Sequence, residues 1–205
     1  MKVESLFSSG LCDENTYVIT DEKSGLSAVI DPDLYYFKDG CRQLCEKFNI
    51  TLILLTHAHF DHIYSAKELK ALTGAEVCIH ELDADTLADP SLNLSSQLGS
   101  GISLIPDRKL KDGDSIMLGC SEIKILLTSG HTRGSCCYIC DGKIFSGDTL
   151  FHGSVGRTDF PGGSMKEMYR SIEKLKSLTE DYELYPGHGD LSTLSREKQY
   201  NPYFG

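Results

Sequence analysis

The sequence predicts a layered α/β domain, and two features of the chain support this prediction. Short apolar runs alternate with amphipathic stretches, and the strand-like runs fall into two blocks that each carry helices. This mixed order fits packed layers of helix and sheet better than a purely parallel, doubly wound sheet. With 205 residues and no internal repeat or long linker, the chain is expected to form one domain over residues 1–205.

The first block is predicted to begin with a hairpin and to continue with alternating strands and helices. Strands are predicted where apolar and β-branched residues cluster between turn signals, at residues 15–20, 26–30, 51–55 and 75–79. Cys41, Leu44 and Phe48 recur at helical spacing, which indicates a helix. Helices are predicted over residues 39–49 and 63–73, and short helices over 81–99 with a break at Pro90.

The second block also combines predicted strands with predicted helices, and its strands follow one another closely. These strands are predicted at residues 115–119, 122–128, 135–140, 143–147 and 183–187. A helical spacing of apolar residues returns over 164–178, and a terminal helix is predicted over 192–200.

Charge and composition exclude several classes of function and location. The net charge of −10 argues against a broad surface for nucleic acid or an anionic membrane, both of which need a basic excess. The first residues, MKVESLFSSG, lack the apolar core of a signal peptide, and no stretch has the length of a membrane span. A cytoplasmic location with reduced cysteines is therefore expected.

Four of the predicted strands end in side chains that bind metal ions. The strand at 51–55 runs into THAHFDH, and three later strands end at single residues of the same kind. Glycine next to three of these ligands allows the backbone to approach a site closely. The candidate ligands are His57, His59, Asp61, His62, His131, Asp148 and His188.

This set of five imidazoles and two carboxylates suits zinc, iron or manganese. Seven ligands exceed what one tetrahedral ion needs, so we expect two ions that share a carboxylate. The loop is expected to direct His57 and His59 to one ion, and the next turn to direct Asp61 and His62 to the other. Of the remaining histidines, His80 is expected to cap a helix and His152 to lie near the site without binding metal.

The motifs THAHFDH, GHTRGS, SGDTLF and PGHG, in that order, resemble those of the metallo-β-lactamase superfamily. The likeness extends over nearly the whole chain and implies a four-layer αββα sandwich with the metals at one edge of its two sheets. It also implies the ligand sets. His57, His59 and His131 would bind the first ion, Asp61, His62 and His188 the second, and Asp148 would bridge them.

Within that superfamily the chain resembles the small bacterial hydrolases similar to glyoxalase II, the hydroxyacylglutathione hydrolases. GRTDFPGGS and the tail GHGDLSTL carry this likeness. It implies substrate-binding roles for Arg157 and Tyr138. Ile63-Tyr64-Ser65 departs from the family, which has glycine in this turn. The chain ends soon after His188, so we expect no counterpart of the helical domain with which glyoxalase II binds glutathione.

These observations predict a metallohydrolase that cleaves an acyl-thioester, such as S-lactoylglutathione. Two divalent ions, zinc or else iron or manganese, would hold a water molecule and lower its pKa to about 7. Asp61 would bind the second ion and also orient the nucleophile. No residue stands out as a general acid, and a thiolate leaving group, with a pKa near 8.5, does not need one.

Several alternatives remain open at this point. A persulfide dioxygenase of the same fold would use His57, His131 and Asp148 to hold a single iron ion. A metal-binding module without catalytic activity is a second alternative. Arg157 has a structural alternative in an ion pair with Asp159, and Tyr138 has one in the core.

Overall fold

Two six-stranded sheets form the centre of the molecule in the computed structural model, which describes residues 1–7, 12–34, 39–99 and 101–205. The strands of the first sheet lie side by side in chain order, from β1 to β6. Their bounds are β1 Lys2–Phe7, β2 Asn15–Thr20, β3 Leu26–Ile30, β4 Asn49–Leu55, β5 Glu76–His80 and β6 Arg108–Leu110. The pairs from β1 to β3 are antiparallel, and those from β3 to β6 are parallel.

The second sheet has the order β14-β13-β10-β9-β8-β7. Its strands are β7 Ser115–Leu118, β8 Ser121–Leu127, β9 Cys136–Cys140, β10 Lys143–Gly147, β13 Glu183–Pro186 and β14 Ser192–Thr193. Only the β10–β13 pair is parallel, and the other pairs are antiparallel. A separate small hairpin contains β11 Leu150–Phe151 and β12 Ser154–Val155.

Helices cover the outer face of each sheet. The bounds are α1 Gly40–Lys47, α2 Phe60–Ile63, α3 Ala66–Thr73, α4 Ala84–Ala88, α5 Met165–Ser177 and α6 Leu194–Tyr200. Ser164 and Thr193 cap α5 and α6, since each hydroxyl accepts a hydrogen bond from a backbone N–H of the first turn. Short 3₁₀ turns lie at Glu81–Asp83, Ser95–Leu98 and Pro202–Phe204.

Three apolar clusters separate these layers. Leu44 of α1 and Leu69 of α3 pack on one face of the first sheet, and Met168 and Ile172 of α5 pack on the outer face of the second. The cluster between the sheets takes alternate residues of both, among them Ile19 of the first sheet. Because successive residues of a strand face opposite sides, each strand serves two clusters. The result is the four-layer αββα sandwich that the sequence predicts.

The predicted strands and helices are confirmed in type, with bounds that differ by a few residues. The helix expected over 63–73 is divided, because α2 and α3 are separate helices. The short strands β6, β11, β12 and β14 were not predicted, and neither was the edge strand β1. Within the described ranges, no helix is both long and apolar enough to cross a membrane.

Candidate metal centre

One edge of the sandwich collects the polar ends of strands from both sheets. The loop after β4 carries His57 and His59, and the short helix α2 that follows it carries His62. In the second sheet, β8 and β10 are both antiparallel to β9, and β13 is parallel to β10, so these three strands end at the same edge. His131, Asp148 and His188 follow those strand ends. The edge between the sheets is thus where the predicted ligands meet.

His57, His59 and His131 form the first group, and one ring nitrogen of each lies within 4.8 Å of the others. All three side chains are buried. Nδ1 of His59 lies 2.7 Å from Nε2 of His131. The Nδ1–H of His131 donates to the backbone carbonyl of Arg157 at 2.7 Å, so Nε2 is the ring nitrogen that faces the group and would bind a metal ion.

The second group contains Glu14, His62, Asp148 and His188, with ligand atoms again within 4.8 Å of one another. Nε2 of His62 lies 3.3 Å from Oδ1 of Asp148, and Nε2 of His188 lies 3.5 Å from that same oxygen. In a four-coordinate ion with bonds of about 2.0–2.2 Å, neighbouring ligand atoms are roughly 3.3–3.6 Å apart. These separations therefore match the edges of a coordination polyhedron.

Asp148 belongs to both groups. Its Oδ2 lies 3.4 Å from Nε2 of His131 in the first group, while Oδ1 faces the histidines of the second. One carboxylate that reaches two groups is the arrangement expected for a ligand shared by two ions.

The donor set fits divalent ions, because many of its buried atoms have no hydrogen-bond partner. A buried polar atom without a partner is costly, and an ion would satisfy it. The unpartnered atoms at this edge are Nε2 of His57, His59 and His62, Oδ1 of Asp148 and both carboxylate oxygens of Glu14.

Burial and charge set the protonation of the centre. Burial lowers the pKa of His57 well below its usual range and that of His59 to about 3, so both imidazoles are neutral. Burial alone would raise the pKa of Asp148, but His62, His131 and His188 together hold it well below its usual range. Neutral imidazoles and an ionised carboxylate are the forms that bind metal ions.

Two buried carboxylates accept hydrogen bonds from the loops that carry the ligands and so fix the positions of these loops. Asp31, directly after β3, accepts hydrogen bonds from the backbone N–H and hydroxyl of Thr56 at 2.7 and 2.6 Å, and lies 3.0 Å from Nδ1 of His62. Such a carboxylate fixes the orientation of a ligating histidine. Asp31 therefore connects the end of β3 to the loop that carries three of the histidines.

Asp83 joins the loops that carry the first group. It accepts hydrogen bonds from the N–H of Ala58 at 3.1 Å, the hydroxyl of Thr132 at 2.7 Å and the N–H of Gly134 at 2.7 Å. These donors lie next to His57, His59 and His131 in the chain. Asp83 therefore sets the distance between the two halves of the first group.

An open cavity of about 500 Å³ lies over the centre. Phe60, Leu94, Phe151 and Phe160 give it apolar walls, and Asp61, Gln97 and Arg157 add polar groups. Cys12 also lines it, and burial, followed by the charge of Asp61, raises the pKa of this thiol to about 12. The cavity has room for a small substrate next to both groups.

Arg157 lies at this cavity and forms the ion pair with Asp159 that was its structural alternative. Nε and Nη2 of Arg157 donate to the two carboxylate oxygens of Asp159, each at 2.7 Å. The guanidinium also lies over the ring of Phe160, 3.9 Å from its centroid. The role of Arg157 in binding substrate stays a prediction, and the ion pair fixes the orientation of its guanidinium.

Asp61 reaches the edge of the second group. Its Oδ2 lies 3.6 Å from Nε2 of His188, and the side chain lines the cavity. Its roles as a ligand and as a catalytic group stay predictions. His80 caps the following 3₁₀ turn as expected, since its Nδ1 accepts from the N–H of Leu82. His152 belongs to neither group, and its Nδ1 lies 3.8 Å from Asp190.

Tyr138 takes the core position that was its structural alternative. Tyr138 is fully buried in the cluster between the sheets, and its hydroxyl donates to the carbonyl of Leu55 at 2.8 Å.

Two residues of the Ile63-Tyr64-Ser65 turn stabilise the fold around the loop that carries the ligands. Ile63 packs in the first cluster, and the Ser65 hydroxyl accepts from the N–H of Leu34 at 3.0 Å.

Glu14 is the residue of the centre that was not predicted. It directly precedes β2, is fully buried, and burial raises the pKa of its carboxyl well above the usual range. The sequence signal is weak, since Glu14 is a single carboxylate before an apolar strand and belongs to none of the histidine motifs. An isolated β-bridge between Glu14 and His188 brings it to the centre.

An αββα sandwich with histidine and carboxylate groups at one sheet edge defines a class of metal-binding proteins. The family model described as the metallo-beta-lactamase superfamily matches residues 9–188. The chain belongs to the metallo-beta-lactamase superfamily, and the resemblance in its motifs is confirmed. Its fold and candidate ligands place it among the metal-dependent hydrolases of that superfamily.

Relatives and solved structures agree with this assignment. The chain is 33% identical over 202 residues to the hydroxyacylglutathione hydrolase GloC of Haemophilus influenzae. The aligned region covers 93% of this chain and 92% of that relative. It is similar to the structure of the B3 metallo-beta-lactamase BLEG-1, with a TM-score of 0.86, 31% identity and coverage of 98% and 99%. The di-iron-bound form of TTHA1623 is similar at a TM-score of 0.81 and 30% identity, with 99% and 100% covered.

Proposed function

We propose that the protein is a two-ion hydrolase that cleaves acyl-thioesters, with S-lactoylglutathione or a related acyl-thiol as substrate. The observation that carries this proposal is the carboxylate of Asp148, which reaches both ligand groups at the floor of an open cavity. The similarity to a hydroxyacylglutathione hydrolase over almost the full length of both chains supports the thioester substrate.

The residues of the centre have separable tasks in this reaction. His57, His59 and His131 would hold one ion, and His62, His188 and Asp61 the other, with Asp148 between them. Ions in these places, zinc in our proposal, would supply a water molecule that ionises near neutral pH and would polarise the scissile carbonyl. Asp61 faces the cavity beside His188 and would orient the attacking water.

The surroundings of the cavity suit a thioester better than an unstrained amide. Thiolate is a good leaving group at neutral pH because its pKa is near 8.5, so it needs no protein acid. Arg157 lines the cavity and would bind a carboxylate of the substrate through the guanidinium donors that its ion pair with Asp159 does not use. Phe151 and Phe160 provide apolar walls for the acyl and thiol parts.

We further propose a cytoplasmic protein whose partner is a small molecule. The net charge of −10 gives no broad basic surface for nucleic acid or an anionic membrane. All eight cysteines are present as free thiols, which suits a reducing compartment.

A substrate panel tests this proposal. The metal-loaded protein is assayed for thiol release from S-lactoylglutathione and other acyl-thioesters, for opening of a β-lactam, and for oxygen uptake with glutathione persulfide. We expect thiol release that is lost in Asp148→Asn and kept in His152→Ala, a histidine close to the centre but outside both groups. Oxygen uptake by protein that holds one iron per chain would overturn the proposed hydrolase activity and support a dioxygenase. Opening of the β-lactam without thiol release from any thioester would overturn the proposal that the substrate is a thioester.

A further inference from the structure

Glu14 holds a buried carboxylate that the proposed reaction does not use. Its side chain is 0% exposed, and neither oxygen has a hydrogen-bond partner. A carboxylate in this state is strongly unfavourable unless a cation or hydrogen-bond donors compensate it. The two oxygens are therefore unsatisfied in the interior of the protein, and a bound cation would satisfy them.

The backbone around Glu14 fixes it beside His188. Glu14 and His188 form an isolated β-bridge, and the N–H of Asn15 donates to the carbonyl of Gly187 at 2.7 Å. The amide of Asn15 also donates to the carbonyls of Pro186 and Gly189. These bonds connect the start of β2 to the loop after β13, so the position of Glu14 is set by both sheets.

Two histidine nitrogens face this carboxylate, and each is also approached by other carboxylates. Oε1 of Glu14 lies 3.2 Å from Nδ1 of His62, but that nitrogen already has the carboxylate of Asp31 at 3.0 Å. Oε2 lies 3.2 Å from Nε2 of His188. Two further carboxylate oxygens approach this same nitrogen, Oδ1 of Asp148 at 3.5 Å and Oδ2 of Asp61 at 3.6 Å.

Three carboxylate oxygens around one imidazole nitrogen describe the ligand shell of a cation. Their distances from Nε2 of His188, which are 3.2, 3.5 and 3.6 Å, are close to the roughly 3.3–3.6 Å between neighbouring ligand atoms of a four-coordinate ion with N and O donors. A divalent ion among these atoms would also satisfy Oε2 of Glu14, which has no hydrogen-bond partner.

We infer that Glu14 is an oxygen ligand of the ion in the second group, which makes this group select a harder ion than the first. The first group offers three imidazoles, a set that suits zinc. The second offers two imidazoles and the carboxylates of Glu14, Asp61 and Asp148, an oxygen-rich set that suits manganese(II). This inference rests on the two-ion centre of the proposed function and is independent of the substrate.

Binding of zinc and manganese to the metal-free protein tests this selectivity. Manganese is measured by its electron paramagnetic resonance signal and zinc by elemental analysis, in the wild type and in the nearly isosteric Glu14→Gln. We expect the wild type that has been loaded with one equivalent of zinc to bind one further manganese. Glu14→Gln should keep the zinc and lose at least tenfold in manganese affinity. Equal manganese affinity in the two proteins would overturn the inference.

Thermal unfolding separates a ligand from a merely structural residue. Manganese bound through Glu14 should raise the melting temperature of the wild type by more than that of Glu14→Gln. An equal rise in the two proteins would identify Glu14 as structural and overturn the inference. If the variant does not fold, a crystal structure of the manganese-loaded wild type with Glu14 beyond bonding distance of the ion would overturn it.

Hydrolysis of S-lactoylglutathione is measured in the same preparations to keep the two proposals apart. Selective manganese binding without hydrolysis would contradict the proposed function and support the role of Glu14. Hydrolysis with two zinc ions in the wild type, and no preference for manganese, would support the proposed function and overturn the role of Glu14.

Discussion

Asp61 is the residue on which the proposed chemistry depends most. It lies at the boundary between the second ligand group and the cavity, with Oδ2 3.6 Å from Nε2 of His188. From there one carboxylate can bind an ion and also orient the attacking water. The carboxylates of Asp31 and Asp83, by contrast, lie behind the histidines and hold their loops.

Replacing Asp61 with alanine should therefore abolish catalysis while leaving the fold intact. We expect Asp61→Ala to lose roughly a hundredfold or more in the rate of thioester hydrolysis, because both of its roles are removed. Rates are measured at saturating metal. Asp190→Ala, which changes a 91% exposed carboxylate in the adjoining loop, should keep its rate. An unchanged rate in Asp61→Ala would contradict the mechanism.

Gly187 shows why a glycine lies next to a ligand. A Cβ atom at this position would lie 2.5 Å from Oδ1 of Asp148 and 2.7 Å from Cε1 of His62. Both neighbours belong to the second group. We expect Gly187→Ala to displace them and to lose about one of two bound ions per chain, as measured by elemental analysis.

Gly189→Ala is the matched control. Gly189 has a positive φ of 77°, but a Cβ atom there would meet nothing within 4 Å. This variant should lower the melting temperature through backbone strain and keep its metal content. Equal metal content in the two variants would show that the close approach at Gly187 does not matter.

The sequence predicts most of the centre at the residue scale. The seven predicted ligands all reach one edge because each follows a strand, and strand ends can be located from apolar runs. Glu14 could not be predicted in this way because it precedes its strand and belongs to no motif. The sequence left the position of Tyr138 open because neighbouring residues of β9 face different layers, and its place in the motif order does not show which one.

At the scale of elements, two turns join the sheets at the edge opposite the centre. Asp21, in the turn between β2 and β3, accepts hydrogen bonds from the N–H of Cys120 at 3.0 Å, in the turn between β7 and β8, and from the hydroxyl of Ser121 at 2.9 Å, at the start of β8. It also accepts from Ser24 in its own turn. These bonds, that from Cys120 first, hold the pKa of Asp21 well below its usual range.

Asp21 should thus give the fold a pH-dependent stability. Because its pKa is lowered in the folded state, its contribution is full above the unfolded pKa of about 3.9 and is lost as the pH falls below it. Asp21→Asn should lower the free energy of unfolding at pH 7, and this difference should shrink below about pH 4. Urea unfolding at both pH values measures it, and metal content should not change. A difference that is constant with pH would contradict the assignment.

Elements with clear periodicity were predictable, and short edge elements were not. The central strands β4 and β5 are apolar along most of their length, and α5 has a regular apolar face, so pattern alone locates them. β1 alternates charged and apolar residues at the edge of its sheet, and the two-residue strands are too short for a period. Such strands form because a neighbouring strand offers its backbone hydrogen bonds.

At the scale of the whole molecule, the centre exists only when the two sheets are packed together. The first sheet supplies His57, His59 and His62, and the second supplies His131, Asp148 and His188. Binding of ions at this edge is therefore coupled to the packing of the sandwich, and removal of metal should lower its melting temperature. The sequence predicts the layers and the shared edge, whereas the distances between the groups come from the packing.

The number of ions that hydrolysis requires tests the central claim most directly. Metal-free protein is titrated with zinc, and S-lactoylglutathione hydrolysis is followed against zinc equivalents per chain. Our account predicts that the rate rises to a plateau at about two equivalents, because Asp148 is shared by two ion sites. Full activity at one equivalent or without metal, or no hydrolysis at any equivalence, would contradict it.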